Sequence, residues 1–319
     1  MKESKLYFSS INHVEELLDE KQAATAISVV IPTLNAGKHL NRLLYRLLKQ
    51  TVEAEIIIID SGSIDSTVSI AERYIKENPG KVHLLRIPGE SFDHGGTRDF
   101  ALRKCSGDYV AFLTQDALPT SKDCLKNLWK AFTREDIAGV YGRQVAYSGA
   151  PSYEKYTRLF NYPVFGRVWK EEDISKYGVK AYFFSNTCAM YRRGIYEKVG
   201  GFDSPIITNE DMMMAAKLLH AGYALAYEPA ACVFHSHNNT LLEDYRRNVR
   251  IGYVMQQYRE RLTGASADSE GMRMVKYVIN GLAREKHVGA MIPFMIHIVV
   301  KLAGNRVGKR RRKLDERST

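Results

Sequence analysis

Several short stretches of this chain hold side chains able to do chemistry. Thr114, Gln115 and Asp116 follow an apolar run, YVAFL (109–113), and Pro119 ends the segment. A carboxylate at the end of a buried strand suits a divalent ion held against a phosphate, because such ions take one or two carboxylates plus phosphate oxygens. It also suits a plain turn. HGGTRD (94–99) sets Gly95 and Gly96, which permit close backbone approach, ahead of Arg98, whose planar fork fits phosphate. Glu210 and Asp211 in NED (209–211) stand where a helix begins, placed either as acid–base groups or as complements to the helix dipole. His235 and His237 follow a strand with one residue between them, so alternation puts them on one face, as ligands or as loop histidines.

The elements around them must do the positioning. ISVVI (27–31), closed by Pro32, reads as a short buried strand. Leu40, Leu43, Leu44, Leu47 and Leu48 recur at helical spacing. EIIIID (55–60) lacks alternation and predicts a strand covered on both faces. A helix follows to about Lys76, VHLLRI (82–87) is a third strand, residues 97–105 look helical, and YVAFL is a fourth strand. Strand alternating with helix predicts a parallel sheet with ligands beyond its carboxyl ends. Those ends carry Thr33 and Asn35, Asp60, and Gln115 with Asp116, a set that points to a nucleotide or phosphate ligand. Neither a GxGxxG nor a GxxxxGK[ST] loop is present, which excludes the usual dinucleotide and P-loop enzymes. Residues 147–180 are aromatic and irregular, and aromatic faces serve sugar rings or core packing equally. AYFFS (181–185) reads as a strand, 200–223 as a loop then a helix, and the chain beyond about residue 245 as helical and basic.

The 319 residues, 45% hydrophobic and 26% charged, have the composition of a soluble globular protein. Net charge is +10, and RVGKRRRK (306–313) holds six basic residues and no acid. Such a run favours the phosphates of nucleic acid or anionic lipid, or is a solvated tail. Cys105, Cys124, Cys188 and Cys232 form no CxxC pair, which fits a reducing compartment. The first residues lack the apolar core of a signal peptide. AMIPFMIHIVVKLAG (290–304), with Pro293, His297 and Lys301, is short for a membrane span and reads as a buried or interfacial helix.

ISVVIPTLNAG (27–37), IIIIDSGSIDST (56–67), YVAFLTQDA (109–117), NED and HSH occur in the order seen in inverting family 2 glycosyltransferases, which this chain resembles over roughly residues 26–240. FDHGGTRDFA (92–101), GRQV (142–145) and FNYP (160–163) look like the bacterial rhamnosyltransferase branch, which uses dTDP-L-rhamnose to build O-antigen, capsule or cell-wall polysaccharide. The resemblance implies an α/β GT-A fold, a Rossmann-like mixed sheet flanked by helices, with a C-terminal helical appendage. The chain accordingly divides into an N-terminal extension (1–25), a catalytic domain (26–245) and a C-terminal helical, basic segment (246–319) whose apolar helix and basic run read as membrane-associating. Asp211 is then the base and Glu210 its support. Pro32, Thr33, Asn35, Asp60, Gly96, Arg98, Gln115 and Asp116 bind the donor, with Asp60 accepting from a uracil or thymine N3–H. Asp116 and His235 hold Mg²⁺ or Mn²⁺, and His94, Asn186 and His237 line the acceptor and sugar pocket. Two departures stand out: Gln115 occupies the first position of the family's DxD-type motif, and Asp99 stands where Asn is common.

The expected function is metal-dependent transfer of L-rhamnose from dTDP-L-rhamnose to a saccharide or lipid-linked saccharide. The enzyme is expected in the cytoplasm, peripheral at the inner face of an anionic membrane, with homo-oligomers open. The alternatives are a UDP-hexose-dependent transferase and a non-catalytic, basic nucleotide- or RNA-binding protein. Without an RNP signature or a helix-turn-helix, nucleic acid is the weaker partner.

Overall fold

A computed structural model describes residues 15–17, 26–262 and 267–318, so most of the extension expected over 1–25 lies outside the described residues. Ten strands form one sheet: β1 (Glu15–Leu17), β2 (Ile27–Thr33), β3 (Glu55–Asp60), β4 (Val82–Arg86), β5 (Tyr109–Leu113), β6 (Leu118–Pro119), β7 (Ile137–Val145), β8 (Arg167–Trp169), β9 (Cys188–Arg192) and β10 (Ala224–Phe234). Among the described residues, the helices of nine residues or more are α1 (Leu40–Leu48), α2 (Thr67–Glu77), α3 (His94–Arg103), α4 (Ser152–Asn161), α5 (Glu210–His220), α6 (Leu241–Gln257), α7 (Ala267–Arg284) and α8 (Met291–Ser318).

The sheet order is β1-β4-β3-β2-β5-β9-β7-β10-β6, with β8 pairing β10. β4, β3, β2 and β5 run parallel, as the strand–helix alternation predicts. The second half departs from that rule: β9 lies antiparallel between β5 and β7, which makes the sheet mixed. Both faces are covered. Ile57 and Ile59 of β3 enter one core while Ile56 and Ile58 enter the other, which is why this strand shows no alternation. Leu40, Leu43, Leu44 and Leu47 are the buried stripe of α1.

The strand expected at 181–185 begins later, at Cys188. Tyr182 and Phe184 are buried core residues, but the backbone there is a 3-10 turn (Gly178–Tyr182) followed by a loop. Their apolar character is tertiary packing rather than strand pairing. The stretch expected to be irregular holds α4 and β8.

The register gathers the chemistry at one edge. Thr33 of β2 pairs Asp60 of β3. Leu113 of β5 pairs Cys188 of β9, so residues 185–187 sit beside Thr114. Phe234 of β10 pairs Leu118 of β6 antiparallel, and continuing that register carries His235 and His237 past Asp116.

α8 packs along α6 through glycines. A Cβ on Gly308 stands 2.0 Å from the Val249 carbonyl oxygen, and one on Gly252 stands 2.1 Å from that of Asn305. The apolar stretch expected to be a short, buried or interfacial helix is the start of a 28-residue helix. The segment is long and apolar enough to cross a membrane. It is not buried, for Ile292, Met295, Ile296, Val299 and Leu302 are exposed.

Candidate active site

Asp116 and the two histidines meet. Asp116 Oδ2 lies 3.4 Å from His235 Nε2 and 3.8 Å from His237 Nδ1. One ligand atom from each residue lies within 4.8 Å of the others. His237, placed by the sequence in the sugar pocket, thus joins the Asp116–His235 pair. His235 is held by its backbone N–H on the Val145 carbonyl (2.9 Å) and by Nδ1 against Gln144 Oε1 (2.8 Å). Burial pushes both imidazoles below their ordinary range, His237 to about 4, so both are neutral at neutral pH. Burial alone raises the Asp116 carboxyl, but in the acid range where it titrates the rings carry charge, and His235 first, then Thr114 and His237, outweigh burial and hold it well below the usual range.

Glu210 and Asp211 open α5 after Asn209, whose φ of 58° is left-handed. They have opposite surroundings. Glu210 is buried, with Oε1 3.4 Å from Arg98 Nη1 and accepting from Asn186 Nδ2 at 3.1 Å. Its Oε2 is 3.9 Å from His94 Nδ1. Burial alone raises its pKa, yet Arg98, His94 and the Asn186 amide bring it below the ordinary value. Asp211 stays half-buried and accepts from the backbone N–H groups of Met212 (2.8 Å) and Asn186 (3.1 Å). Burial, then the negative Glu210, pushes its pKa up to about 7. Two adjacent carboxyl groups with pKa values driven apart are the signature of divided acid–base duty.

Three expectations, for Arg98, Gly96 and Asn186, change in detail. Arg98 is 6% exposed, paired with Glu210 and donating to the His94 carbonyl at 2.8 Å, so it faces the carboxylate and not an open phosphate site. Gly96 is buried in the first turn of α3 and donates to Asp93 Oδ1 (2.6 Å). Asp93 Oδ2 also accepts from Ile206 N (2.6 Å). Gly95 serves close approach, since a Cβ there falls 2.0 Å from the Asp203 carbonyl oxygen. Asn186 is 2% exposed and orients Glu210 and Asp211 instead of lining a sugar pocket. His94 borders the site, half-exposed, edge-on to Phe92 at 5.1 Å.

The donor-side loops are laced together. Asp60 accepts from Thr33 Oγ1 (3.1 Å), Ser63 Oγ (2.5 Å), Ser63 N (2.9 Å) and Gly62 N (3.2 Å), which occupies its four acceptor positions. Pairing with a base N3–H therefore requires one of the two hydroxyls to turn away. Gln115 spends its amide on the Leu34 backbone, accepting at 2.9 Å and donating at 3.2 Å. Asn35, left-handed at φ 51°, accepts from Ile64 N at 3.0 Å, and Pro32 lies just inside it in β2. Asp99, the other departure, is buried and bound by the Tyr196 hydroxyl and Phe202 N.

Sequence reasoning missed the link between the two halves. Gln144 Nε2 donates to Ser185 Oγ (2.9 Å), Asn186 N reaches Asp211, and Thr187 accepts from Thr114 N (3.3 Å). Tyr191 OH donates to Asn186 Oδ1 (2.9 Å). The segment 185–187 thus bridges the histidine cluster and the carboxylate pair. Its advance signals are Asn186, which the resemblance places in the sugar pocket, and GRQV, which contains Gln144.

Comparison with known proteins agrees with this geometry. Residues 28–200 match the family model described as Glycosyl transferase family 2. The chain is 38% identical over 288 residues to the O-antigen chain rhamnosyltransferase RfbN of Salmonella typhimurium, covering 89% of each. It is 36% identical over 290 residues to the O-antigen chain rhamnosyltransferase WbaN of Salmonella anatum, again 89% of each. Among solved structures it resembles the mannosyltransferase PcManGT of Pyrobaculum calidifontis in complex with GDP-Man and Mn²⁺, with a TM-score of 0.63 at 15% identity, over 98% of this chain and 93% of that one. That likeness concerns the fold alone. The chain belongs to glycosyl transferase family 2 and is a glycosyltransferase of the GT-A fold.

Proposed function

We propose that this glycosyltransferase transfers L-rhamnose from dTDP-L-rhamnose to a saccharide hydroxyl with inversion. The observation that carries the chemistry is the adjacent pair opening α5: Glu210 tied to Arg98 and Asn186, and Asp211 beside it on two backbone N–H groups, an arrangement that lowers the Glu210 pKa and pushes that of Asp211 up to about 7. A base near working pH is the most effective, because it is both deprotonated and able to accept a proton. Asp211 Oδ takes the proton of the acceptor hydroxyl. The hydroxyl oxygen bonds to the anomeric carbon from the face opposite the diphosphate, the bond from that carbon to the diphosphate oxygen breaks, and the nucleoside diphosphate departs. The β-linked donor gives an α-L-rhamnoside. Glu210, locked by Arg98 and Asn186, keeps Asp211 basic without titrating itself. The rhamnosyl donor is supported by the two O-antigen chain rhamnosyltransferases that match across most of the chain.

One carboxylate oxygen and two neutral imidazole nitrogens form a donor set that fits a divalent ion. Two imidazoles suit Mn²⁺ better than Mg²⁺, which favours oxygen. Asp116, His235 and His237 would hold it, and it would supply positive charge to the leaving diphosphate.

The acceptor proposed is a lipid-linked saccharide at the inner membrane face, approached by a catalytic domain of residues 26–245 and a membrane-associating segment of 246–319. A cavity of about 270 Å³ beside His237 is lined by Arg158, Arg247, His297 and Lys301, so it joins the histidine cluster to α8. On α8 the exposed stripe Ile292, Met295, Ile296, Val299, Leu302 continues as Arg306, Arg310 and Lys313 on the same face. The opposite face packs on α6 at Gly304, Asn305 and Gly308 and, through Phe294, on Tyr156, Val278 and Leu282, so the helix lies in the interface in preference to spanning.

Two outcomes are expected. In a hydrolysis screen over nucleotide sugars, dTDP-L-rhamnose is turned over and UDP-galactose and UDP-glucose are not. UDP-hexose turnover with dTDP-L-rhamnose inert overturns the donor. The double variant Ile296→Glu, Val299→Glu loses about tenfold or more in binding to anionic lipid vesicles by co-sedimentation, since each buried aliphatic side chain contributes about 1.5–3 kcal/mol. Unchanged sedimentation contradicts the membrane face.

A further inference from the structure

Gln144 decides how His235 presents itself. The Gln144 side chain is buried, and its Oε1 accepts from Arg158 Nη1. Arg158 is itself braced by Glu154, Nε to Oε1 at 2.8 Å within α4. A guanidinium has donors only, so the amide must turn its oxygen toward Arg158. Turned the other way, two N–H groups would face each other. With the oxygen so placed, Nε2 falls on Ser185 Oγ at 2.9 Å, where it donates. Both ends of the amide are thus assigned by their partners.

The same Oε1 lies 2.8 Å from His235 Nδ1. An oxygen without a hydrogen can only accept, so Nδ1 carries the proton. In a neutral imidazole the other nitrogen is then bare. That bare Nε2 faces Asp116 Oδ2 at 3.4 Å. Two acceptors meet across a gap that a cation, and not a hydrogen bond, would fill.

We propose that Gln144 is a positioning residue: it fixes the Nδ1–H tautomer of His235 and so offers the Nε2 lone pair to a divalent cation shared with Asp116 and His237. The inference rests on the metal reading of that cluster. Partners of this kind orient metal-binding histidines, and their loss typically weakens metal affinity by about 10–100-fold.

The test uses the full chain, ¹⁵N-labelled at histidine and free of metal, at neutral pH. Long-range ¹H–¹⁵N spectra of the wild type are expected to show His235 as the Nδ1–H form. In Gln144→Leu that preference is lost, and Mn²⁺ affinity read by electron paramagnetic resonance falls about 10–100-fold. Gln144→Glu keeps an acceptor toward Nδ1 and Arg158, so it retains the tautomer and binds Mn²⁺ within a few-fold of wild type. An Nε2–H form in the wild type overturns the proposal, as does wild-type Mn²⁺ affinity in a folded Gln144→Leu. Should Gln144→Leu not fold, the wild-type spectrum and Gln144→Glu still decide. An Nδ1–H ring in a wild type that takes up no Mn²⁺ overturns the metal reading beneath the proposal and leaves Gln144's hold on the ring standing. Donor hydrolysis, measured separately, reports on the transferase reading.

Discussion

Asp211→Asn is expected to lower kcat/KM for transfer by about 10²–10⁴-fold, the usual contribution of a positioned general base, while leaving donor binding near wild type. The same change alters stability in a pH-dependent way. Asp211 titrates near 3.8 in an unfolded chain and at about 7 in the folded one. Between those values the folded protein holds a proton that the unfolded chain has released. Wild-type stability therefore falls as pH rises through that window, by about 1.4 kcal/mol per pH unit. Asn carries no such titration. The variant loses hydrogen-bond quality at the Asn186 and Met212 N–H groups, a roughly constant cost. Its stability relative to wild type should climb from pH 4 to pH 7 and then level. Chemical denaturation at pH 4.5, 6 and 8 measures it. A difference independent of pH would mean that Asp211 is ionised throughout and is not the strained base described here.

Glu210→Gln should produce the largest loss of stability among single changes at this site. Arg98 is 7% exposed at its side chain and has Glu210 as its carboxylate partner. Its Nε has no hydrogen-bond partner among the described residues. Removing the partner of a buried ion pair costs about 3–5 kcal/mol, because the remaining charge stays desolvated. Double substitution, Glu210→Gln with Arg98→Met, should recover part of that loss, since it removes both charges. A cost for Glu210→Gln below about 1 kcal/mol would mean the pair is solvated, in the range typical of exposed ion pairs. Because Glu210 helps to raise Asp211, the Gln variant should also shift the acidic limb of activity toward lower pH.

The elements that carry these residues were largely legible in the sequence. Runs such as EIIIID are saturated with β-branched residues because both faces of β3 are covered. The leucine spacing of α1 has a single buried stripe to explain it. The antiparallel insertion of β9 was not legible, because a short buried strand looks alike in either direction. At the site, the residue types pointed to the right edge of the sheet, and the order of motifs pointed to the family. What each side chain touches was hidden. Arg98 reads as a phosphate fork until burial and Glu210 claim it. Asp60 reads as an open acceptor until Ser63 and Thr33 fold over it. Gln144 and Ser185 carry no charge and no distinctive spacing, so their part in joining His235 to the Asp211 side appears only when strand register brings β7 beside the loop before β9. The same holds for His237, which meets Asp116 because β10 and β6 pair antiparallel.

The most direct test of the central claim, that Asp211 is a base tuned to working pH by burial and by Glu210, is the pH dependence of kcat/KM with dTDP-L-rhamnose and a saccharide acceptor. The wild type should lose activity with decreasing pH along a limb centred near 7, about tenfold per unit below it, and Glu210→Gln should carry the same limb at lower pH. A profile flat from pH 5.5 to 8, or one that Glu210→Gln leaves in place, would contradict it.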